Sequence, residues 1–194
     1  MESLKKLQKL KRNTFSTSDA VKVGVSPRML TYLVQKAAIE RRAQGLYCFA
    51  NQAEELDLKE IIKEMLLVVP QAIIGLETAL QIYNLSDEPT RKIDLIVAQN
   101  KGPSRKLKNA RFFRVRMPLF KFKTQKLDGL RITTIEQTIV DLLRAGHPIS
   151  ELVRIFNLAQ RKGMPVELSQ VKKLGDMFRV KGKVTRFLEA VGWD

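Results

Sequence analysis

The stretch that decides the fold begins Phe15-Ser16-Thr17-Ser18-Asp19-Ala20-Val21-Lys22-Val23-Gly24-Val25-Ser26-Pro27-Arg28-Met29-Leu30-Thr31-Tyr32-Leu33-Val34-Gln35-Lys36. It closes on Ile39-Glu40-Arg41-Arg42-Ala43-Gln44-Gly45-Leu46-Tyr47-Cys48-Phe49-Ala50. Ser16 with Asp19 three residues on has the spacing of a capping box, and Phe15 with Ala20 fits a hydrophobic staple around it. A short helix is therefore expected from Thr17. Gly24 stops it, because glycine enters the left-handed conformation at little cost. Ser26-Pro27 then supplies an N-cap and a proline in the first helical position. Helix, a turn of about four residues, helix is the spacing of a helix-turn-helix.

The helix begun at Pro27 has two faces. Leu30, Leu33, Val34 and Ala37 fall at i, i+3, i+4 and i+7, the pattern of a buried stripe. Arg28, Tyr32 and Gln35 point the opposite way at about 100° per residue, with Thr31 and Lys36 beside them. An arginine can bond guanine through both arms, glutamine can bond adenine, and threonine or tyrosine suits a phosphate or a thymine methyl. Surface helices often carry such residues with no partner. The Ser26-Pro27 cap favours the groove reading, because it places Arg28 in the first turn, where recognition helices meet base edges and the helix dipole draws phosphate. Residues 39–50 read as two strands around Gln44-Gly45, a wing with Arg41 and Arg42 near its tip. Cys48 alternates with Leu46 and Ala50 and is expected as a small buried apolar side chain. Upstream, Leu4, Leu7 and Leu10 mark a short first helix studded with lysines, of which Lys5, Lys6 and Lys9 are candidates for added phosphate contacts.

Composition supports a polyanion as partner. The 194 residues carry 35 Lys and Arg against 20 Asp and Glu, a net charge of +15. The excess is clustered: ten basic residues against three acids in residues 1–52, and ten with no acid from Lys101 to Lys126. A third group lies between Lys172 and Arg186, where six face only Asp176. Clustered charge raises the local anion concentration and steers phosphate encounter. Lys101, Arg105, Lys106 and Lys108 make the middle cluster a second candidate surface. One cysteine excludes a disulfide framework, and one cysteine with one histidine cannot build a Cys/His zinc centre. Met65–Leu76, the most apolar stretch, is too short to span a bilayer and is interrupted by Pro70 and Gln71. The chain reads as cytoplasmic, with no membrane association and no cofactor or metal.

Beyond Asn51-Gln52 the pattern predicts a helix ending before Pro70, a helix over Ile73–Leu85 and a loop at Ser86–Pro89. Strands follow at Ile93–Val97 and Phe112–Arg116, with a third around Phe120 and Phe122 and a short one at Leu130–Ile132. Four more helices are expected, over 134–145, 149–161, 168–178 and 184–191. The expected organisation is α+β: a winged helix-turn-helix over residues 1–52, then a mixed α/β domain over 53–194 with a small sheet and a helical carboxy-terminal end.

The run from Ser16 through Gly24-Val25-Ser26, Leu30, Leu33-Val34 and Ile39 to Gly45-Leu46-Tyr47 resembles the amino-terminal domain of the AbiEi antitoxins. Gly75-Leu76-Glu77-Thr78-Ala79-Leu80 with Tyr83-Asn84-Leu85 is similar to that family's "glycine, then Ser/Thr-Ala-Leu" helix, and Ile93–Val97 to the strand after it. Ile132–Leu143 is similar to its "Glu, then hydrophobic-Asp-Leu-Leu" helix. The family often has Pro-Glu-Arg-Thr where this chain has Ile135-Glu136-Gln137-Thr138, so a role of that arginine does not carry over. The resemblance implies the antitoxin of a phage-defence (abortive infection) toxin–antitoxin operon that represses its own transcription. It also implies a co-expressed, AbiEii-like nucleotidyltransferase toxin, countered in a way that need not involve a tight protein complex.

Signatures of catalysis are missing from the sequence: it has no G-x-S-x-G, no G-x-x-x-x-G-K-[ST] and no G-x-G-x-x-G. His147, in Gly146-His147-Pro148, is expected in an exposed turn without a fixed acid partner. Glu77 with Asp94 faintly suggests a nuclease core, but Phe112–Arg116 offers no further acid. Glu136 and Asp141 diverge on their helix, and Asp141 is expected to cap or salt-bridge within the fold. The expected function is a non-enzymatic DNA-binding autorepressor. One such reader covers only a half-site, so inverted repeats would be bound by monomers acting cooperatively or by a weak dimer. The rival expectation is an RNA-binding accessory protein whose Phe120 and Phe122 stack bases.

Overall fold

Ser16 and Ser26 punctuate the amino-terminal part as their spacing predicts. In a computed structural model, which describes residues 2–10, 13–43, 45–50, 58–86, 92–102 and 110–193, α1 spans Glu2–Gln8, α2 Thr17–Lys22 and α3 Pro27–Gln35. The Ser16 hydroxyl accepts from the Asp19 amide at 3.1 Å, and the Asp19 carboxylate accepts from the Ser16 amide at 3.0 Å, which completes the capping box. The Ser26 hydroxyl accepts from the Met29 amide at 3.3 Å. The α2–α3 turn closes through Gly24 (φ +78°), with the Val25 amide donating to the Ala20 carbonyl at 2.9 Å. This is the paired-bond C-terminal motif that needs a left-handed residue after the cap.

The wing is β2 (Ile39–Ala43) with β3 (Leu46–Phe49), and β3 also pairs with β1 (Thr14–Ser16), giving the order β1-β3-β2, all antiparallel. The sequence reading has no β1. It is three residues long, and Phe15 serves as a strand residue stacked on Tyr47 (6.1 Å) and tilted against Phe49 (5.5 Å) as well as flanking the cap. Leu7, Phe15, Ala20, Val25, Leu30, Leu33, Ile39 and Tyr47 form the core of this part. Ala37 departs from expectation: α3 ends at Gln35, and Ala37 is exposed with φ +51° instead of continuing the buried stripe. The Ala37 amide donates to Val34 and the Ala38 amide to Leu33, both at 3.0 Å, so Ala37 holds the left-handed seat of a helix stop.

The described chain divides into two compact units between Gln71 and Ala72. The expected boundary at residues 52/53 lies outside the described residues. Helix α4 (Leu58–Val68) packs on β1 and β3, and its buried Glu64 accepts a hydrogen bond from the Thr14 hydroxyl.

The second unit is a mixed sheet with helices. Its strands are β4 (Ile73–Ile74), β5 (Ile93–Ala98), β6 (Ala110–Val115), β7 (Thr124–Leu127) and β8 (Leu130–Thr133), in the order β6-β5-β4-β8-β7. β5–β6 and β4–β8 run parallel, β4–β5 and β7–β8 antiparallel. The expected helix over 73–85 is therefore a two-residue central strand followed by α5 (Leu76–Ile82). The expected strand around Phe120 and Phe122 is a single 3-10 turn, Leu119–Lys121, that leaves Phe120 78% exposed and buries Phe122 against Phe178 at 4.8 Å. Helices α6 (Ile135–Ala145), α7 (Ile149–Arg161), α8 (Leu168–Met177) and α9 (Lys181–Ala190) follow, with α6 packing on α5, α7, α8 and α9. Among the described residues no helix is long and apolar enough to cross a membrane.

Among the described residues, every buried side-chain nitrogen and oxygen has a hydrogen-bond partner. The Tyr83 hydroxyl donates to the Thr133 carbonyl at 2.7 Å and accepts from Gln125 at 2.9 Å; burial pushes its pKa up to about 12. Asp141 is buried and accepts from Arg144 at 2.9 Å and from Gln137 at 3.1 Å, the internal role expected for it. Desolvation outweighs both partners and pushes its pKa up to about 6.

Two predictions follow from these local environments. Ala37→Gly removes the strain of a side chain at positive φ and should raise the unfolding free energy by up to about 1 kcal/mol in urea titration; an unchanged or lower value contradicts the assignment of Ala37 as the helix stop. Asp141 holds its proton more tightly folded than unfolded, so its contribution to stability is full below about pH 4 and is lost as the pH rises through about 6. The stability of the wild type relative to Asp141→Asn should therefore fall by about 2–3 kcal/mol between pH 4 and pH 7, and a flat difference would contradict the raised pKa.

Candidate nucleic-acid interface

Because Leu30 and Leu33 are buried, α3 has only one orientation in which its opposite face can sit, and that face is solvent-exposed. Arg28, Thr31, Tyr32, Gln35 and Lys36 are all exposed, with Tyr32 at 48%. Ser26 is exposed at the start of the helix, its hydroxyl already serving the Met29 amide. Thr31 is less available than its position suggests, since its hydroxyl donates to the Pro27 carbonyl at 3.2 Å. Lys36 lies 5.9 Å from the centre of the Tyr32 ring, so the ammonium partly screens the aromatic face. Met29 on α3 and Val21 on α2 are exposed apolar side chains beside this polar set. Met29 lies off the leucine stripe of α3, the one sequence signal for its exposure.

On the wing, the register shifts between Arg41↔Tyr47 and Ala43↔Leu46, which makes Arg42 an unpaired bulge residue. The bulge turns the two arginines to different uses. Arg41 and Arg42 are both exposed, but the Arg42 Nε donates to the Cys48 Sγ at 3.1 Å, so its stem lies along the wing. Cys48 itself is buried, as its alternation predicts. The Gly45 carbonyl accepts from the Thr17 amide at 2.8 Å, tying the wing turn to the start of α2; Gln44 lies outside the described residues. Lys5 on α1 and Lys9 just beyond it are exposed, whereas Lys6 pairs with Glu2 at 2.8 Å.

The residues of the amino-terminal set therefore share one unit, and six of them share α3 or its caps. Lys101 is exposed and belongs to the second unit. Arg105, Lys106 and Lys108 lie outside the described residues.

Glu77, Asp94, Asp141 and Glu151 of the second unit lie within ion-pair distance of Arg111, Arg144 or His147. Arg111 on β6 bonds the fully buried Asp94 with both arms, at 2.6 and 3.0 Å, and reaches Glu77 at 3.0 Å. Burial still pushes the Asp94 carboxyl above its ordinary range. The faint nuclease pattern of Glu77 and Asp94 thus has a guanidinium between its carboxylates. His147 is not the unpartnered turn histidine expected: Nδ1 lies 3.2 Å from Glu151 and Nε2 3.6 Å from Glu77, and only 21% of its side chain is exposed. Glu77 precedes it by 70 positions, a separation that no local motif spans. Among the described residues no group of three or more His, Cys, Asp or Glu is placed to hold a metal ion.

Comparison with known proteins agrees with this architecture. The crystal structure of the RV2827C protein from Mycobacterium tuberculosis is similar in fold, with a TM-score of 0.71 at 13% identity, covering 96% of this chain and 75% of that one. No curated protein matches the chain. Residues 2–50, which hold the helix-turn-helix, the wing and every amino-terminal site residue named above, match a family described as transcriptional regulator, AbiEi antitoxin. Over these residues the chain is similar to the AbiEi antitoxin transcriptional regulators.

Proposed function

We propose that the protein is a DNA-binding autorepressor and the antitoxin of a toxin–antitoxin operon, with the amino-terminal domain (residues 1–52) as the reader and the remainder (53–194) as the antitoxin domain. The observation that carries the reading is the polarity of α3: leucines inward, and Arg28, Tyr32, Gln35 and Lys36 outward from a proline-capped first turn. A helix of this kind laid in the major groove presents its first-turn arginine to a guanine edge and its later residues to neighbouring bases and phosphates. Arg41 extends from the wing to a flanking phosphate or minor groove. Arg42, braced on Cys48, holds the wing's basic charge in place. Lys5 and Lys9 add phosphate contacts. The basic stretch of Lys101, Arg105, Lys106 and Lys108 is a further anion-binding surface. Pairs of molecules on inverted repeats supply the affinity that one short half-site lacks.

The partner being countered is, on this reading, a nucleotidyltransferase toxin encoded beside it, in the setting of abortive infection by phage. The protein acts in the cytoplasm, without a cofactor and without catalysis of its own. The RNA-binding alternative is the weaker one. It needs Phe120 and Phe122 as a stacking pair, and Phe122 is buried against Phe178.

The test is a gel-shift titration with duplex DNA from immediately upstream of the chain's own reading frame. Arg28→Ala should lose about 1–3 kcal/mol of affinity on that duplex and little on random duplex. Equal losses on both would contradict base readout by Arg28. Tighter binding of single-stranded RNA than of the upstream duplex would favour the alternative.

A further inference from the structure

A cavity of about 310 Å³ opens in the second unit between β6 and the carboxy-terminal end of α6. Its walls combine two chemistries. Phe112, Phe113 and Phe122 supply aromatic surface, and Asp141, Arg144 and Arg114 supply charge. Asp141 is only 4% exposed. Each of its oxygens holds one donor, Arg144 Nη1 on Oδ1 at 2.9 Å and Gln137 Nε2 on Oδ2 at 3.1 Å. A carboxylate oxygen can accept two, so both oxygens retain capacity for a second, parallel pair of N–H donors. The Arg144 guanidinium is fixed by Asp141 and by stacking on Phe178 at 5.0 Å. These side chains are held before any ligand arrives.

The opposite wall is also built to shape. Leu76 lines the cavity with φ +50°, a conformation that costs a leucine energy and that recurs at ligand clamps. Gly75 before it is tightly enclosed: a Cβ there would lie 2.7 Å from Ile96 Cδ1 and would force that side chain to shift. The strained turn thus presses Leu76 against the space enclosed by Ile96 and the phenylalanines.

We propose that this cavity binds a guanine mononucleotide, with the base between the phenylalanine walls, its N1–H and N2–H donating to Asp141, and its phosphate drawn by Arg114 and Arg144. The aromatic walls call for a flat ring, and the carboxylate calls for two adjacent N–H donors on its edge. The arginines call for a negative charge on its substituent. Guanine meets the second requirement and adenine does not, because adenine presents an acceptor at N1. The volume sits at the lower end of the range of about 300–1,000 Å³ for small-molecule sites, which suits one nucleotide. The proposal is independent of DNA binding by α3.

Equilibrium dialysis of the full chain with labelled GMP, AMP and guanosine tests it. GMP should bind with a submillimolar Kd, AMP and guanosine at least tenfold more weakly. Ala145→Phe, at the exposed end of α6 on the cavity wall, should weaken GMP at least tenfold while leaving the far-UV circular dichroism and melting temperature in the wild-type range. Asp141→Asn should reduce GMP to the level of AMP; should that variant fail to fold, Ala145→Phe alone decides. The proposal is overturned by the absence of GMP binding at millimolar concentration, by equal binding of GMP and AMP, or by GMP binding that Ala145→Phe leaves intact.

Discussion

The burial of Leu30 and Leu33 against Phe15, Ile39 and Tyr47 is the constraint on which the rest of the amino-terminal part depends. A nine-residue helix is too short to persist alone in water, so α3 exists because one face is packed. The same packing determines which side chains are left outside. The exposure of Arg28, Tyr32 and Gln35 on the outward face of α3 follows from two buried leucines, a serine cap and a proline. The wing is fixed similarly. β3 is the middle strand of its sheet, its Tyr47 and Cys48 are buried, and the outer strand β2 carries the arginines.

The second unit depends on a two-residue strand. β4 joins the β5–β6 pair to the β8–β7 pair, antiparallel on one side and parallel on the other. Gly75 and Leu76 then turn the chain from strand into helix within two residues, and Leu76 lines the cavity between β6 and α6; a polar network lies in the same unit. Asp94, Arg111, Glu77, His147 and Glu151 form that network from β5, β6, α5, the α6–α7 turn and α7.

What was legible in the sequence followed the range of the interactions. The capping box at Ser16, the Ser26-Pro27 start and the glycine stop are interactions across a few residues, and the structure has each of them; of the apolar stripe it buries Leu30 and Leu33, half-buries Val34 and leaves out Ala37. Elements stabilised only by distant partners were not legible. β1 and β4, three and two residues long, exist through pairing with β3, β5 and β8, and their own residues read as a cap flank and as the start of a helix. Phe120 and Phe122 alternate as a strand would, but Pro118 opens a turn that sends one ring out and one in. Asp128-Gly129 is a hairpin dipeptide, a local signal for the turn that joins β7 to β8. In the candidate interface, the exposure of Arg28, Tyr32 and Gln35 was legible, whereas the Arg42–Cys48 contact depends on a bulge that residue types do not announce.

The central claim is that the outward face of α3 meets duplex DNA. Amide hydrogen exchange of the full chain, followed by mass spectrometry with and without the upstream duplex, measures this most directly. The account predicts added protection in peptides covering residues 26–36 and 39–43, with the interior of α7 unchanged. Saturating duplex that leaves those two segments at their free rates, while protection appears elsewhere, would contradict it.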